Sequence, residues 1–319
     1  MDIFVTGANG FIGRRLCQRL CEKSHGVYAV AKGIKESDFS KSKEQAIEAI
    51  EANVLDPDSL KKAIAGKNID CCIHLAGFSN NPANPAEEKI CFSTNVDGTK
   101  NVLEALGTGG KCRAFVFMSS VKVYGNAKGH VDESSPLLAE DIYSKSKICA
   151  EKEVEHAVKK YGFSAIILRP SNSYGPGDLS LQRIIPGSLK KIFSGGRPAV
   201  YGDGSAVKNF LFVDDTIEAI ILAAEKAAKG TGIETINIAG EKNISIRELE
   251  EIILGECCSS LEPEFIRGKI GESAPEISTA RAKKSLGWGA KTGIEKGIRV
   301  TVKWYRDYFM NEPGKITKD

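Results

Sequence analysis

A doubly wound α/β fold, a parallel sheet covered by helices on both faces, is predicted by two features of this 319-residue chain. Short β-branched or apolar runs alternate with amphipathic stretches through the first two thirds, and the first of these runs passes straight into a glycine-rich turn that opens a helix. The length accommodates one large α/β domain with a smaller region stacked on it.

Strands are expected at residues 3–6, 27–31, 69–75, 114–118 and 165–168, and helical spacing of apolar residues marks 16–22, 96–106 and 145–158. After Pro170 the alternation loosens into YGPGD at 174–178 and GGRP at 195–198. Residues 1–170 are therefore read as a Rossmann-like dinucleotide-binding domain, rejoined by a return strand near 235–240, and 171–319 as mainly a substrate-binding region. No internal repeat or low-complexity tract appears, and the polar tail after Tyr308 is expected to fray.

Composition removes several classes of function. The 44 basic and 41 acidic residues are scattered, which argues against a nucleic-acid partner. No apolar run approaches the ~20 residues of a membrane helix, and the start MDIFVTGANG has no basic region ahead of its apolar strand, so a soluble cytoplasmic protein is expected. Nine cysteines, two pairs of them adjacent (Cys71/Cys72 and Cys257/Cys258), show no C-x-x-C spacing and read as reduced thiols. Four histidines without ligand spacing leave no metal site to expect.

The turn TGANGFIG supplies Gly7, Gly10 and Gly13, with Phe11 and Ile12 opening the first helix. A pyrophosphate approaches such a backbone closely because no Cβ intervenes, and its charge sits at the helix N-terminus. An ordinary strand-to-helix turn is the plain alternative; the position after an apolar strand at the start of the chain favours a dinucleotide. A fold selective for NAD places a carboxylate at the end of the second strand to hold the ribose. Here that strand ends in Ala31 and Lys32, a cation suited to a 2′-phosphate, which tilts the cofactor from NAD toward NADP, although Glu36 or Asp38 could reach the ribose instead.

Tyr143 and Lys147 lie four residues apart, on one face of a helix. An ammonium beside a phenol stabilises phenolate and brings a pKa near 10 toward neutrality, so Tyr143 could move a proton on or off a carbinol oxygen while Lys147 also holds nicotinamide ribose. Alone the spacing is a common accident of helices. The upstream FVFMSSVKVYG, a strand ending in Ser119 and Ser120, adds a hydroxyl for the reacting oxygen.

The sequence resembles the extended short-chain dehydrogenases/reductases, specifically the NAD-dependent epimerase/dehydratase group acting on nucleotide sugars. The motifs are TGANGFIG, HLAG at 74–77, NVDGT at 95–99, SSVKVYG at 119–125, YSKSK at 143–147, LRPSNSYGPGD at 168–178, VYGDGSAVKNFLFVDD at 200–215, NIAG at 237–240 and SLGW at 285–288, in that order. The resemblance implies a catalytic triad of Ser120, Tyr143 and Lys147, with Ser119 the lesser candidate. It implies that Asn95 supports the active-site helix, that Leu75, Ala76, Gly77 and Pro170 line the cofactor, and that Asn53 and Val54 meet the adenine, although relatives more often carry aspartate at Asn53. On the substrate side it implies a diphosphate contact from Asn172 and a nucleobase clamp around Val200 and Tyr201. Lys208 stands where many relatives have arginine, so the diphosphate grip could shift to Arg267.

Related 4,6-dehydratases carry an Asp-Glu pair after the catalytic Thr. Val121 and Lys122 occupy those positions and cannot remove water. A UDP-sugar 4-epimerase is the leading reading, and an NADPH-dependent 4-keto-sugar reductase is the alternative. A non-catalytic NAD(P) sensor would not need the triad, and a steroid or flavonoid reductase would not need Asn172 or GDG-x-x-x-K. Relatives often dimerise through a helix pair corresponding to segments 94–107 and 143–160, which could equally just pack on the sheet.

Overall fold

Alternation along the first strand, β1 (Asp2–Thr6), sets up both faces of the molecule: Ile3 and Val5 enter one apolar cluster and Phe4 the other. The computed structural model describes residues 1–39, 47–79, 82–109, 112–267 and 273–311. After β1 come α1 (Phe11–Glu22), β2 (Gly26–Ala31), β3 (Ile47–Glu51), α2 (Pro57–Ile64), β4 (Cys71–His74), α3 (Pro85–Gly109), β5 (Ala114–Met118), β6 (His130–Val131), α4 (Ile142–Tyr161) and β7 (Ser164–Pro170). The chain continues with β8 (Asn172–Tyr174), α5 (Ile184–Phe193), β9 (Ala199–Tyr201), β10 (Val207–Phe212), α6 (Val213–Ala227), β11 (Ile233–Ile238), β12 (Asn243–Ser245) and α7 (Ile246–Glu256). It closes with β13 (Glu264–Ile266), β14 (Glu276–Ile277), α8 (Ala280–Leu286) and α9 (Ile294–Asn311).

Seven strands form an all-parallel sheet in the order β11-β7-β5-β4-β1-β2-β3. This is the Rossmann-like doubly wound sheet expected. One face buries Ile3, Val5, Val116 and Leu168 against α1, α6 and the C-terminal helices; the other buries Phe4, Phe115, Phe117 and Ile167 against α2, α3 and α4. The chain moves outward from β1 in one direction through β2 and β3, then in the other through β4, leaving a crevice at the carboxyl ends of β1 and β4, where such sheets bind ligands. The later residues add three small sheets, β12-β10-β8, β13-β9 and β14-β6. They share the first core: Ile217, Ile236 and Ile298 lie in the same cluster as Ile3 and Val116.

The structure revises several expected boundaries. The helical spacing at 96–106 belongs to the longer α3, whose first turn is held by Asn84 Oδ1, accepting from the amides of Ala86 and Glu87. The spacing at 145–158 belongs to α4, opened by Asp141, whose carboxylate accepts from Ser144 N, and closed by Gly162 in the left-handed conformation. The strand expected at 69–75 is only Cys71–His74. β3 was not foreseen because IEAIE, following Glu and Ala residues, reads as an amphipathic helix; it is an edge strand with Glu48 and Glu51 exposed. α9 runs past Tyr308 to Asn311, and the remainder of the polar tail lies outside the described residues. All nine cysteines are free thiols. Among the described residues no helix is long and apolar enough to cross a membrane, and no cluster of His, Cys, Asp or Glu could hold a metal ion.

Candidate active site

The glycine turn is tight enough to require its glycines. Gly7 has φ +69°, and a Cβ there would lie 2.6 Å from Ala76 N; a Cβ on Gly13 would lie 2.2 Å from Gly7 O. Gly10 caps α1 without any side-chain bond, which leaves the first amides of the helix, at Phe11, Ile12 and Gly13, for an anion. The turn is tied to the end of β4: Thr6 Oγ1 accepts from Ala76 N at 3.3 Å and Leu75 N donates to Thr6 O at 3.2 Å. His74 spans Thr6 Oγ1 (2.7 Å) and Thr99 Oγ1 (3.1 Å); burial drives its pKa down to about 3, so this imidazole is a neutral brace between β1, β4 and α3. A cradle so close to backbone fits a dinucleotide pyrophosphate.

The other cofactor candidates are spread along the same edge. Lys32 is exposed beyond β2, its carbonyl accepting from Asn9 Nδ2 at 3.0 Å. Asn53 shapes the turn after β3, its Oδ1 accepting from Leu55 N, and Val54 is buried against Gly98. Pro170 ends β7 beside Ile238. Gly77 reaches Asn95 and Lys147, since a Cβ there would lie 2.8 Å from Asn95 Oδ1 and 3.5 Å from Lys147 Nζ.

Ser120, Tyr143 and Lys147 come together where β5 ends and α4 begins. The Ser120 side chain acts on the Tyr143 phenol, holding its pKa below what burial alone would impose. Ser120 Oγ also accepts from Lys122 N at 3.2 Å, fixing the turn Val121–Tyr124 that follows. Its neighbour Ser119 faces away, donating to the buried carboxylate of Glu151. Lys147 Nζ donates to Met118 O at 2.8 Å and lies 5.9 Å from the centre of the Tyr143 ring. Asn95 joins α3 to α4, donating to Ser146 Oγ at 2.8 Å and Phe78 O at 3.2 Å while accepting from Phe78 N at 2.8 Å.

The electrostatics depart from the expectation that Lys147 lowers the phenol pKa. Burial pushes Tyr143 up to about 12, opposed by the Ser120 hydrogen bond and by the charge of Arg183. Burial also brings Lys147 down to about 8, opposed by Cys91 and Glu151. Two further cations bear on the tyrosine. Lys122 Nζ stands 5.4 Å from the centre of its ring, and Arg183 is anchored by Asp178 at 3.2 Å and Ser79 at 3.3 Å.

Arg183 carried no local sequence signal, since it arrives from a loop far along the chain. Glu151 was also missed, although it follows Lys147 by four residues on the helix face that Tyr143 and Lys147 share. Arg169 clamps it through Nε (3.0 Å) and Nη2 (2.6 Å) and donates from Nη1 to Tyr124 OH, which donates on to Asn237 Oδ1.

The substrate candidates fall into two groups. Asn172 is exposed on β8, donating to Asn209 O on neighbouring β10, the strand that carries Lys208. Val200 and Tyr201 lie on β9, which pairs with β13 just ahead of Arg267. The Val200 side chain is fully buried and is left a packing role, whereas Tyr201 is 67% exposed and presents its ring; Arg267 is exposed.

A glycine cradle at the switch point of a parallel sheet, with a Ser-Tyr-Lys cluster at the strands' carboxyl ends, defines a dinucleotide-binding α/β protein. The chain belongs to the NAD dependent epimerase/dehydratase family, whose sequence model matches residues 3–239, and is an enzyme of that nucleotide-sugar family. It is 27% identical to the UDP-glucose 4-epimerase of Mycolicibacterium smegmatis, over 96% of this chain and 99% of that protein. It is 29% identical to the dTDP-glucose 4,6-dehydratase of Neisseria gonorrhoeae, over 96% of each. Its fold matches the solved structure of MoeE5 in complex with UDP-glucose and NAD, with a TM-score of 0.85 and 24% identity over 97% of this chain and all of that one.

Proposed function

We propose that this protein is a UDP-sugar 4-epimerase, with Tyr143 the acid and base at the C4 oxygen. The observation that carries this over dehydration is the turn after Ser120, where Val121 and Lys122 offer no carboxyl pair and an ammonium instead faces the Tyr143 ring. Bound at the glycine cradle, the dinucleotide would accept a hydride from C4 and give it back. Tyr143 takes the hydroxyl proton as C4 becomes a ketone, Ser120 holds the oxygen through its hydroxyl, and the proton returns when the ring has turned over. Lys147, beside Gly77, holds the ribose. Asn172, Tyr201, Lys208 and Arg267 hold the nucleotide end. The relatives favour NAD as cofactor, and Lys32 alone favours NADP and with it the 4-keto-sugar reductase. The segments 94–107 and 143–160 within α3 and α4 are the surface proposed for a homodimer.

The test is to denature the purified protein, identify released dinucleotide by mass spectrometry, and incubate fresh enzyme without added cofactor with UDP-glucose, UDP-N-acetylglucosamine and UDP-glucuronic acid. Retained NAD with conversion of one sugar to its 4-epimer supports the epimerase. An empty site and no conversion would transfer the assignment to the reductase.

A further inference from the structure

We infer that the buried pair Glu151 and Arg169 is a positioning device for the reaction. It grips both ends of the turn that carries Ser120 and so aims the Ser120 hydroxyl, a role that rests on the proposal that Ser120 and Tyr143 act at C4.

Ser120 is extended, with φ −162° and ψ 149°, so its side chain and that of Ser119 leave the chain on opposite sides, and fixing one aims the other. Ser119 is fixed by Glu151 on α4, whose Oε1 accepts from its hydroxyl. Glu151 is bound in turn by Arg169 on β7, through Nε at 3.0 Å and Nη2 at 2.6 Å. The remaining arm of Arg169 crosses to the far end of the same turn. Its Nη1 donates to Tyr124 OH at 2.9 Å, and that phenol donates on to Asn237 Oδ1 of β11 at 2.7 Å. Between these two holds lie bonds internal to the turn, Lys122 N to Ser120 Oγ (3.2 Å), Val123 N to Ser120 O (3.3 Å) and Gly125 N to Lys122 O (3.1 Å). One ion pair therefore restrains the residue just before Ser120 and the residue that closes its turn.

Stability alone is a poor reason for such a pair. The Glu151 and Arg169 side chains are only 5% and 6% exposed, and taking two charges that far out of water offsets most of their attraction; apolar residues of similar volume often fold as stably or more so. What an apolar pair would not supply is direction. The carboxylate accepts from Ser119, and the planar guanidinium donates along fixed lines to Glu151 and Tyr124 at once, so the turn is held in orientation as well as in place. A drift of ~1 Å at a reacting group can slow a reaction by about a hundredfold, which sets the scale of what this grip contributes.

The experiment compares the native chain with Ser119→Ala, Tyr124→Phe and the double variant Glu151→Leu/Arg169→Met. It reads amide hydrogen exchange of segment 119–125 by mass spectrometry, thermal unfolding, and kcat and KM with the UDP-sugar that the native chain epimerises. Exchange in that segment should quicken about tenfold or more in all three variants. Melting should stay within about 4 °C of the native value in the single variants and at or above it in the double one. kcat should fall about ten- to a hundredfold with KM within about twofold, the split expected when the chemical step rather than binding is impaired. Unaltered exchange in 119–125, or quickened exchange with kcat retained, would overturn the inference. So would a double variant that melts lower and exchanges faster throughout, which would make the pair a brace of the fold. Epimer formation by the native chain is scored separately: quickened exchange without any epimer refutes the epimerase and leaves the restraint on the turn, and epimer with unaltered exchange does the reverse.

Discussion

Tyr143 is the residue on which the chemistry turns. In the proposed reaction its buried phenol, beside Ser120, is the group that moves the C4 proton. Tyr143→Phe should keep dinucleotide affinity within about twofold and lower kcat by roughly 10² to 10⁴, read by fluorescence titration and steady-state rates; retained turnover would remove Tyr143 from its role. Lys32→Ala should weaken NADP binding more than NAD binding, and equal losses would show that Lys32 does not contact the 2′-phosphate. A second buried acid has nothing to do with the active site. Glu250 on α7 accepts from Ser188 on α5 through Oε1, while its Oε2 is buried with no partner, and burial raises it from 4.5 to about 7. The folded form therefore binds a proton more tightly than the unfolded chain, so the stabilisation present below pH 4.5 is lost as pH rises to 7. Glu250→Gln keeps an acceptor for Ser188 without the charge. Urea denaturation should find it more stable than the native chain at pH 8, by on the order of 2–3 kcal/mol, with little difference at pH 4.5. At this scale the sequence offered Tyr143 and Lys147 through spacing, Ser120 through the family resemblance, and Lys122 only as a departure from a motif; the structure brings the first three together. Arg183 and the redirected bond of Lys147 were not legible, because both depend on contacts made across the fold.

Elements position these residues, and glycine decides how closely they can approach. The two kinds of glycine should respond oppositely to alanine. In Gly13→Ala the new methyl meets backbone of Gly7 and Ala8, so the turn must open; dinucleotide binding should weaken roughly ten- to a hundredfold. Gly255, near the end of α7, has nothing within 4 Å of an added Cβ, and Gly255→Ala should raise stability by up to about 1 kcal/mol, read from thermal unfolding. An unchanged affinity in the first variant would mean the cradle is slacker than its contacts. The central strands were legible because they are apolar on both faces. β3 was not, since an exposed edge keeps charges that look helical. Helix ends also escaped the periodicity, as Asn84 and Asp141 extend α3 and α4 by capping rather than by apolar spacing.

The whole molecule is closed by its later half. β11 supplies the outer neighbour of β7, and α6 buries Ile217, Ile220 and Ile221 on the face that α1 also covers. A fragment of residues 1–170 should therefore lack a cooperative urea transition by circular dichroism; a sharp transition would show that the first region folds unaided. The sequence pointed to this by placing a return strand near 235–240, but the shared core is a property of packing that no single run of residues displays. The strand order also bears on how the chain is made. A ribosome adding about 5–20 residues per second leaves roughly 3 to 14 seconds between finishing β7 and finishing β11. Throughout that interval Ile166, Ile167 and Leu168 present an unpaired strand edge, the kind of surface that pairs with neighbouring chains. Until β11 arrives, synthesis therefore leaves β7 as an open apolar edge of the growing chain.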